Sequence, residues 1–219
     1  AMVKGEGMNS PKVTPGTGGS FGGVTNSLLD FGIPIDCVTD GPSGIRLDSG
    51  NKATAMPIGT LLACTFDDEL VEELHVFEGL ELRANKIDAL LGPGMNIHRH
   101  PLNGRNFEYF SEDPVLTGKL AAAITRGIEK SGPTSTIKHF AANNQEVGRS
   151  SADSVVSQRA LREIYLKGFE IAVKEGKARS LMTSYNPVNG FYAAGYYDLN
   201  TTILRNEWKY DGMVMTDWW

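Results

Sequence analysis

The 219 residues carry 21 Lys and Arg against 26 Asp and Glu, a net charge of -5, with 41% hydrophobic and 21% charged residues. That balance is ordinary for a globular chain; it excludes a disordered or fibrous one and lacks the basic surplus of a nucleic-acid binder. No stretch reaches the roughly 18 to 20 uninterrupted apolar residues of a spanning helix, so no membrane association is expected.

The chain opens on AMVKGEGMNS, without an apolar run of signal-peptide length, which fits a cytoplasmic location; a start that had lost its leader would leave secretion open. Residues 1–30 read as irregular, and PGTGGSFGGV (15–24) places five glycines in ten positions. The first strand is expected over IPIDCV (33–38), a short run rich in apolar side chains and without helical spacing, as in strands buried on both faces of a parallel sheet. Cys37 and Cys64 lie in apolar surroundings without CxxC or CxxH neighbours and read as buried free thiols.

A helix opens at Asp67 and Asp68, whose charges suit its dipole, and is expected to bury Leu70, Val71, Leu74, Phe77, Leu80 and Leu82. IDALLG (87–92) is the second strand, followed by a long loop, GPGMNIHRHPLNGRNFE. Asp113 and Pro114 begin a second helix with a stripe of Leu116, Leu120, Ala123, Ile124 and Gly127. TSTIKHF (134–140) is the third strand. A third helix starts near Ser157, buries Leu161, Ile164, Tyr165, Phe169, Ala172 and Val173, and ends at Lys174, Glu175 and Gly176. RSLMTSY (179–185) and GMVMTD (212–217) complete the strands.

Strand alternating with helix predicts an α/β protein with a parallel sheet. GxGxxG and GxxxxGK[ST] are both absent, so a doubly wound nucleotide fold lacks its fingerprint. The placement of polar residues favours a (β/α)8-type TIM-like barrel, incomplete at its C-terminal end, because an eight-unit barrel takes around 250 residues. In such barrels chemistry collects where strands end. Here the strands end on Asp40, on Lys138 and His139, on Tyr185 and Asn186, and on Asp217 with Trp218.

Singly, several of these have plain explanations: Asp40 as a turn aspartate and Arg105 with Glu108 as a surface ion pair. Lys138 needs a carboxylate or ligand oxygen if the strand is interior, and Asp217 between apolar strand and tryptophans is poorly explained by packing. Carboxylates, cations and aromatic faces together describe a pocket for a polyhydroxylated ligand. His98, His100 and His139 do not form a metal-binding pattern, so no metal or cofactor is expected.

DGPSGIR, GRNFEYFSEDP, KHFAANNQE followed by Arg149, MTSYN and VMTDWW, in this order from about Ile33 to Trp219, resemble the catalytic domain of family 3 glycoside hydrolases, the β-glucosidase group. The resemblance implies a barrel-like domain bearing the nucleophile, over residues 1–219 with 1–30 as a loop-rich leading segment, and a separate α/β sandwich domain bearing a Glu acid/base. It implies a retaining β-glycosidase, most simply a β-glucosidase; β-xylosidase, glucan exohydrolase and a non-catalytic sugar-binding fragment remain alternatives. By the same resemblance Asp217 is the nucleophile, Asp40, Arg105, Lys138, His139, Arg149 and Met182 line the sugar site, Tyr185 sits against the nucleophile and Trp218 shapes the leaving-group side of the substrate site. Arg149 and Tyr185 are expected to lower the pKa of Asp217. The partner implied is a small β-glucoside, and homo-oligomerisation is left open. KHFAANNQE replaces the KHFPGHG-like loop of the N-acetylglucosaminidase branch, which argues against that branch.

Overall fold

The computed structural model describes residues 6–8, 10–23 and 25–218. In chain order its elements are β1 (Gly19–Gly22), α1 (Asn26–Asp30), β2 (Ile35–Asp40), α2 (Gly59–Ala63), α3 (Asp68–Ala84), β3 (Ala89–Leu91), α4 (Pro114–Lys130) and β4 (Thr134–Phe140). Then come α5 (Gln158–Ala160), a π-helical turn (Leu161–Tyr165), α6 (Lys167–Lys174), β5 (Ser180–Thr183), β6 (Pro187–Val188), β7 (Phe191–Tyr192), a π-helix (Asp198–Glu207) and β8 (Met213–Met215).

The main sheet has the order β1-β2-β3-β4-β5-β8, antiparallel at β1 and parallel from β2 onward. β6 and β7 form a separate hairpin. Parallel strands therefore follow one another in sequence order, without the reversal that defines a doubly wound sheet. The sheet also curls: Phe21 near one edge and Met215 and Trp218 at the other pack into one cluster with Val38, Ala89, Leu91 and Met182. A Cβ on Gly18 would lie 3.5 Å from the Trp218 ring, so the two ends of the strand order approach each other. The architecture is α/β with a curled, half-barrel sheet.

Alternate strand residues split between two cores. Val38, Ala89, Leu91 and Met182 line the concave side, whereas Cys37, Leu90, Ile137 and Leu181 join the larger core beneath the helices. The three expected helix starts carry the caps their sequences suggest: Asp67 accepts from the Leu70 amide, Asp113 from Val115 and Leu116 with Pro114 behind it, and Ser157 from Ala160.

Several expectations require correction. Residues 1–30 are not wholly irregular, because the glycine-rich run supplies β1, whose small residues pair with β2, and α1 follows. Cys64 is exposed at the end of α2, and only Cys37 is buried. On α3, Val71 and Leu82 are buried, but Leu70, Phe77 and Leu80 are exposed; the buried face instead takes His75, Glu78 and Gly79. The third helix changes pitch at Leu161–Tyr165, which rotates Ile164 outward. Met213 of β8, at the sheet edge, is partly exposed.

Candidate functional site

The sequence-predicted residues converge at the carboxyl ends of the parallel strands. Asp40 closes β2, Lys138 and His139 lie near the end of β4, Tyr185 follows β5 by two residues, and Asp217 follows β8 by two. Arg105 reaches in from the β3–α4 loop and Arg149 from the segment after β4. Peptide bonds 138–139 and 140–141 are cis, and the register of β4 against β5 shifts between Ile137 and Phe140.

Lys138 Nζ donates to Asp40 Oδ1 at 2.5 Å. The lysine side chain is 4% exposed and the aspartate 41%, so the carboxylate supplies the partner that a buried ammonium needs while keeping a face toward solvent. Burial alone would raise the Asp40 pKa; the charge and hydrogen bond of Lys138, the Gly41 amide and Arg105 outweigh it and hold Asp40 below its ordinary value.

Arg105 Nε donates to Glu108 Oε1, and its guanidinium lies 5.9 Å from the Tyr109 ring centroid. Glu108 is buried, so the pair is an interior support rather than a surface bridge. Arg149 pairs with Glu146 at 3.1 Å and lies over the Tyr185 ring at 4.8 Å. It reaches the site by stacking on Tyr185.

His139 is held on both sides. Its backbone N–H donates to Asn96 Oδ1 at 3.0 Å, and Asn96 Nδ2 donates to its carbonyl at 2.9 Å. Its Nδ1 lies 3.2 Å from the Tyr109 hydroxyl, and its Nε2 lies 3.8 Å from Asp217 Oδ2. Burial first, then the charges of Arg105, Lys138 and Arg149, hold the imidazole well below its usual pKa, so it is neutral.

Asp217 Oδ1 accepts the Trp218 amide at 2.8 Å. The Tyr185 hydroxyl donates to the Trp218 carbonyl beside it and lies close enough to interact with the Asp217 carboxylate. Burial pushes the Asp217 carboxyl up from the usual aspartate value, and the Trp218 amide, Lys138, Arg105 and Tyr185 only partly oppose it. The expected net depression by Arg149 and Tyr185 is therefore corrected, since Arg149 is spent on Glu146 and desolvation exceeds the rest. The Asp217 charge in turn helps burial push the Tyr185 hydroxyl to about 12.

Met182 is buried beneath these groups in the concave cluster, and the half-buried Trp218 packs on that cluster. Trp219, the second tryptophan of VMTDWW, lies outside the described residues. His98 Nε2 contacts the Asn106 carbonyl at 2.8 Å and His100 Nδ1 accepts the Leu102 amide at 3.1 Å, so both loop histidines brace their own loop. Among the described residues no three His, Cys, Asp or Glu side chains are arranged as metal ligands.

Asn96, Tyr109 and Glu146 were not legible as site residues. Asn96 and Tyr109 lie next to apolar residues in sequence, and only the fold turns their polar atoms toward His139. The arrangement can bind hydroxyls through Asp40, Lys138, His139 and Arg105, and it places one oxygen of a buried carboxylate, Asp217 Oδ2, beside them.

The glycosyl hydrolase family 3 N-terminal domain model matches residues 24–219. A β-glucosidase from Ruminococcus albus is 65% identical over 218 residues, covering 100% of this chain and 23% of that protein. The solved β-glucosidase of Paenibacillus barengoltzii is 72% identical with a TM-score of 0.98, covering 99% of this chain and 23% of that one. β-Glucosidase 3B of Thermotoga neapolitana, solved with glucose, is 43% identical with a TM-score of 0.91, covering 98% of this chain and 31% of that one. The chain thus spans about a quarter of the length of the curated relative.

Proposed function

The chain belongs to glycosyl hydrolase family 3, and from that premise we propose that it forms the nucleophile-bearing part of a retaining β-glucosidase. The observation that carries the reading is the convergence of Asp40, Lys138, His139 and Asp217 at one end of the curled sheet, with Lys138–Asp40 at 2.5 Å and His139–Asp217 at 3.8 Å. The fold proposed for the whole domain is a TIM-like barrel over residues 1–219 that further strands would complete. A sandwich domain outside these residues would supply the acid/base; the relatives' greater length supports both.

In this reading the ionised Asp217 attacks the anomeric carbon of a terminal β-D-glucosyl residue. The leaving oxygen takes a proton from a glutamic acid about 5 to 5.5 Å away, and the same residue, now a base, activates the water that hydrolyses the glycosyl ester. Asp40 and Lys138, already paired, share the sugar hydroxyls; a hydroxyl can accept from the ammonium and donate to the carboxylate at once. Arg105 and His139 add donors, Arg149 holds Tyr185 against the nucleophile, and Met182 and Trp218 give the apolar floor. Contacts that tighten as the ring flattens raise the rate rather than affinity alone.

The test is mass spectrometry of a longer polypeptide carrying this chain after reaction with a 2-deoxy-2-fluoroglucoside bearing a good leaving group. The expected adduct is a glycosyl ester on Asp217; labelling at another residue refutes the assignment.

A further inference from the structure

We propose that Tyr109 is a positioning residue that fixes His139 as its Nε2–H tautomer and directs that proton toward Asp217. The role attached to Asp217 rests on the functional reading above; the tautomer does not.

The inference follows from counting donors and acceptors around one buried ring. The Tyr109 side chain has no exposed surface, and among the described residues His139 Nδ1, at 3.2 Å, is the hydroxyl's hydrogen-bond partner. If Nδ1 carried the proton, the tyrosine O–H would be a buried donor without an acceptor, which is costly. The same choice would turn the Nε2 lone pair toward Asp217 Oδ2, setting two acceptors against each other at 3.8 Å. With the proton on Nε2 both faults vanish. The tyrosine donates to Nδ1, and Nε2–H faces a carboxylate oxygen that is buried and has no other partner among the described residues.

Asn96 is the competing influence. Its amide is oriented by the reciprocal pair with the His139 backbone, which leaves Oδ1 3.4 Å from Nδ1 as an acceptor that would favour the other tautomer. That contact is longer than the tyrosine's, and Oδ1 already accepts a backbone N–H. Removing the Tyr109 hydroxyl should therefore release the ring to Asn96. The groups around the pair keep both members in the required state. Arg105, Lys138 and Arg149 reinforce burial in keeping the imidazole neutral. Burial, with Glu108, Glu146 and Asp217 and against Arg105, keeps the phenol protonated. At 3.8 Å Nε2–H is not yet a hydrogen bond to Asp217, a looseness common before substrate closes a site.

The test uses a longer polypeptide carrying this chain, with 15N-labelled histidine. Long-range 1H–15N correlation at neutral pH reports which nitrogen of each imidazole is protonated, and His139→Gln identifies the signal by its loss. The expected result is His139 protonated at Nε2 only, moving to Nδ1 in whole or in part in Tyr109→Phe. A wild-type ring protonated at Nδ1, or at both nitrogens, overturns the proposal, as does a folded Tyr109→Phe that keeps the full Nε2–H signal. Should Tyr109→Phe fail to fold, the wild-type spectrum alone decides. No turnover is needed, so a failure to label Asp217 with fluoroglucoside would remove the functional reading and leave the tautomer to be judged by its own spectrum.

Discussion

If Asp217 is the nucleophile, as proposed, stability and function pull on it in opposite directions. Its folded pKa is raised, chiefly by burial, above the roughly 3.9 of an unfolded aspartate. Between those two values the native state binds more protons, so stability falls as pH rises through that window and the loss is complete above the folded pKa. Asp217→Asn should accordingly abolish glycosyl-ester formation yet raise Tm at pH 7, with the gain disappearing near pH 3. A lower Tm at pH 7 would mean that Lys138 and Arg105 outweigh desolvation. Glu78 presents the same sign more strongly. It is buried beside His75, with His75 Nε2 at 3.7 Å, and burial, helped by Glu81, pushes it to about 8 while burial drops His75 to about 4. Glu78→Gln should stabilise the chain at pH 8, by an amount that shrinks steadily as pH falls toward 4.5. A stability difference flat across that range would show that Glu78 is ionised in the native state.

Among the elements, α3 and α4 show how side-chain size sets a contact that periodicity cannot. A Cβ on Gly127 would lie 2.4 Å from the Glu72 carbonyl, and one on Gly79 would lie 2.7 Å from the Ile128 carbonyl, so the two helix backbones touch through their glycines. Backbone cannot swing aside as a flexible side chain can. Gly127→Ala should therefore destabilise by about 1–3 kcal/mol despite the better helix propensity of alanine, as measured by denaturant unfolding. An unchanged or higher stability would show that the seam can open. The sequence placed Gly127 in the buried stripe of α4, and the caps at Asp67, Asp113 and Ser157 were equally readable because each is settled within four residues. Which face of α3 is buried was not readable. The seam selects the side carrying Gly79, leaving Leu70, Phe77 and Leu80 outside and burying the polar His75 and Glu78.

For the whole molecule, the proposed retaining mechanism needs two carboxyl groups in different protonation states. Glu108 is engaged by Arg105, and Glu112 is exposed before α4, so the proposal assigns the acid's role to neither. The 219 residues alone are expected to bind β-glucosides weakly and turn over little. Sustained hydrolysis of an aryl β-glucoside by this chain, lost in Asp217→Asn, would show that it contains its own acid. The sequence by itself determined the alternation of strands and helices, the helix starts and the strand-end residues, since these depend on neighbours a few positions apart. Tertiary structure alone decided that the glycine run becomes β1, that Arg149 meets Glu146 and Tyr185, and that Tyr109 and Asn96 bracket His139. It also decided that the Asp217 pKa rises. Apart from the local Arg149–Glu146 pair, those outcomes depend on groups far apart in the chain, and on how much water the curled sheet removes from between them.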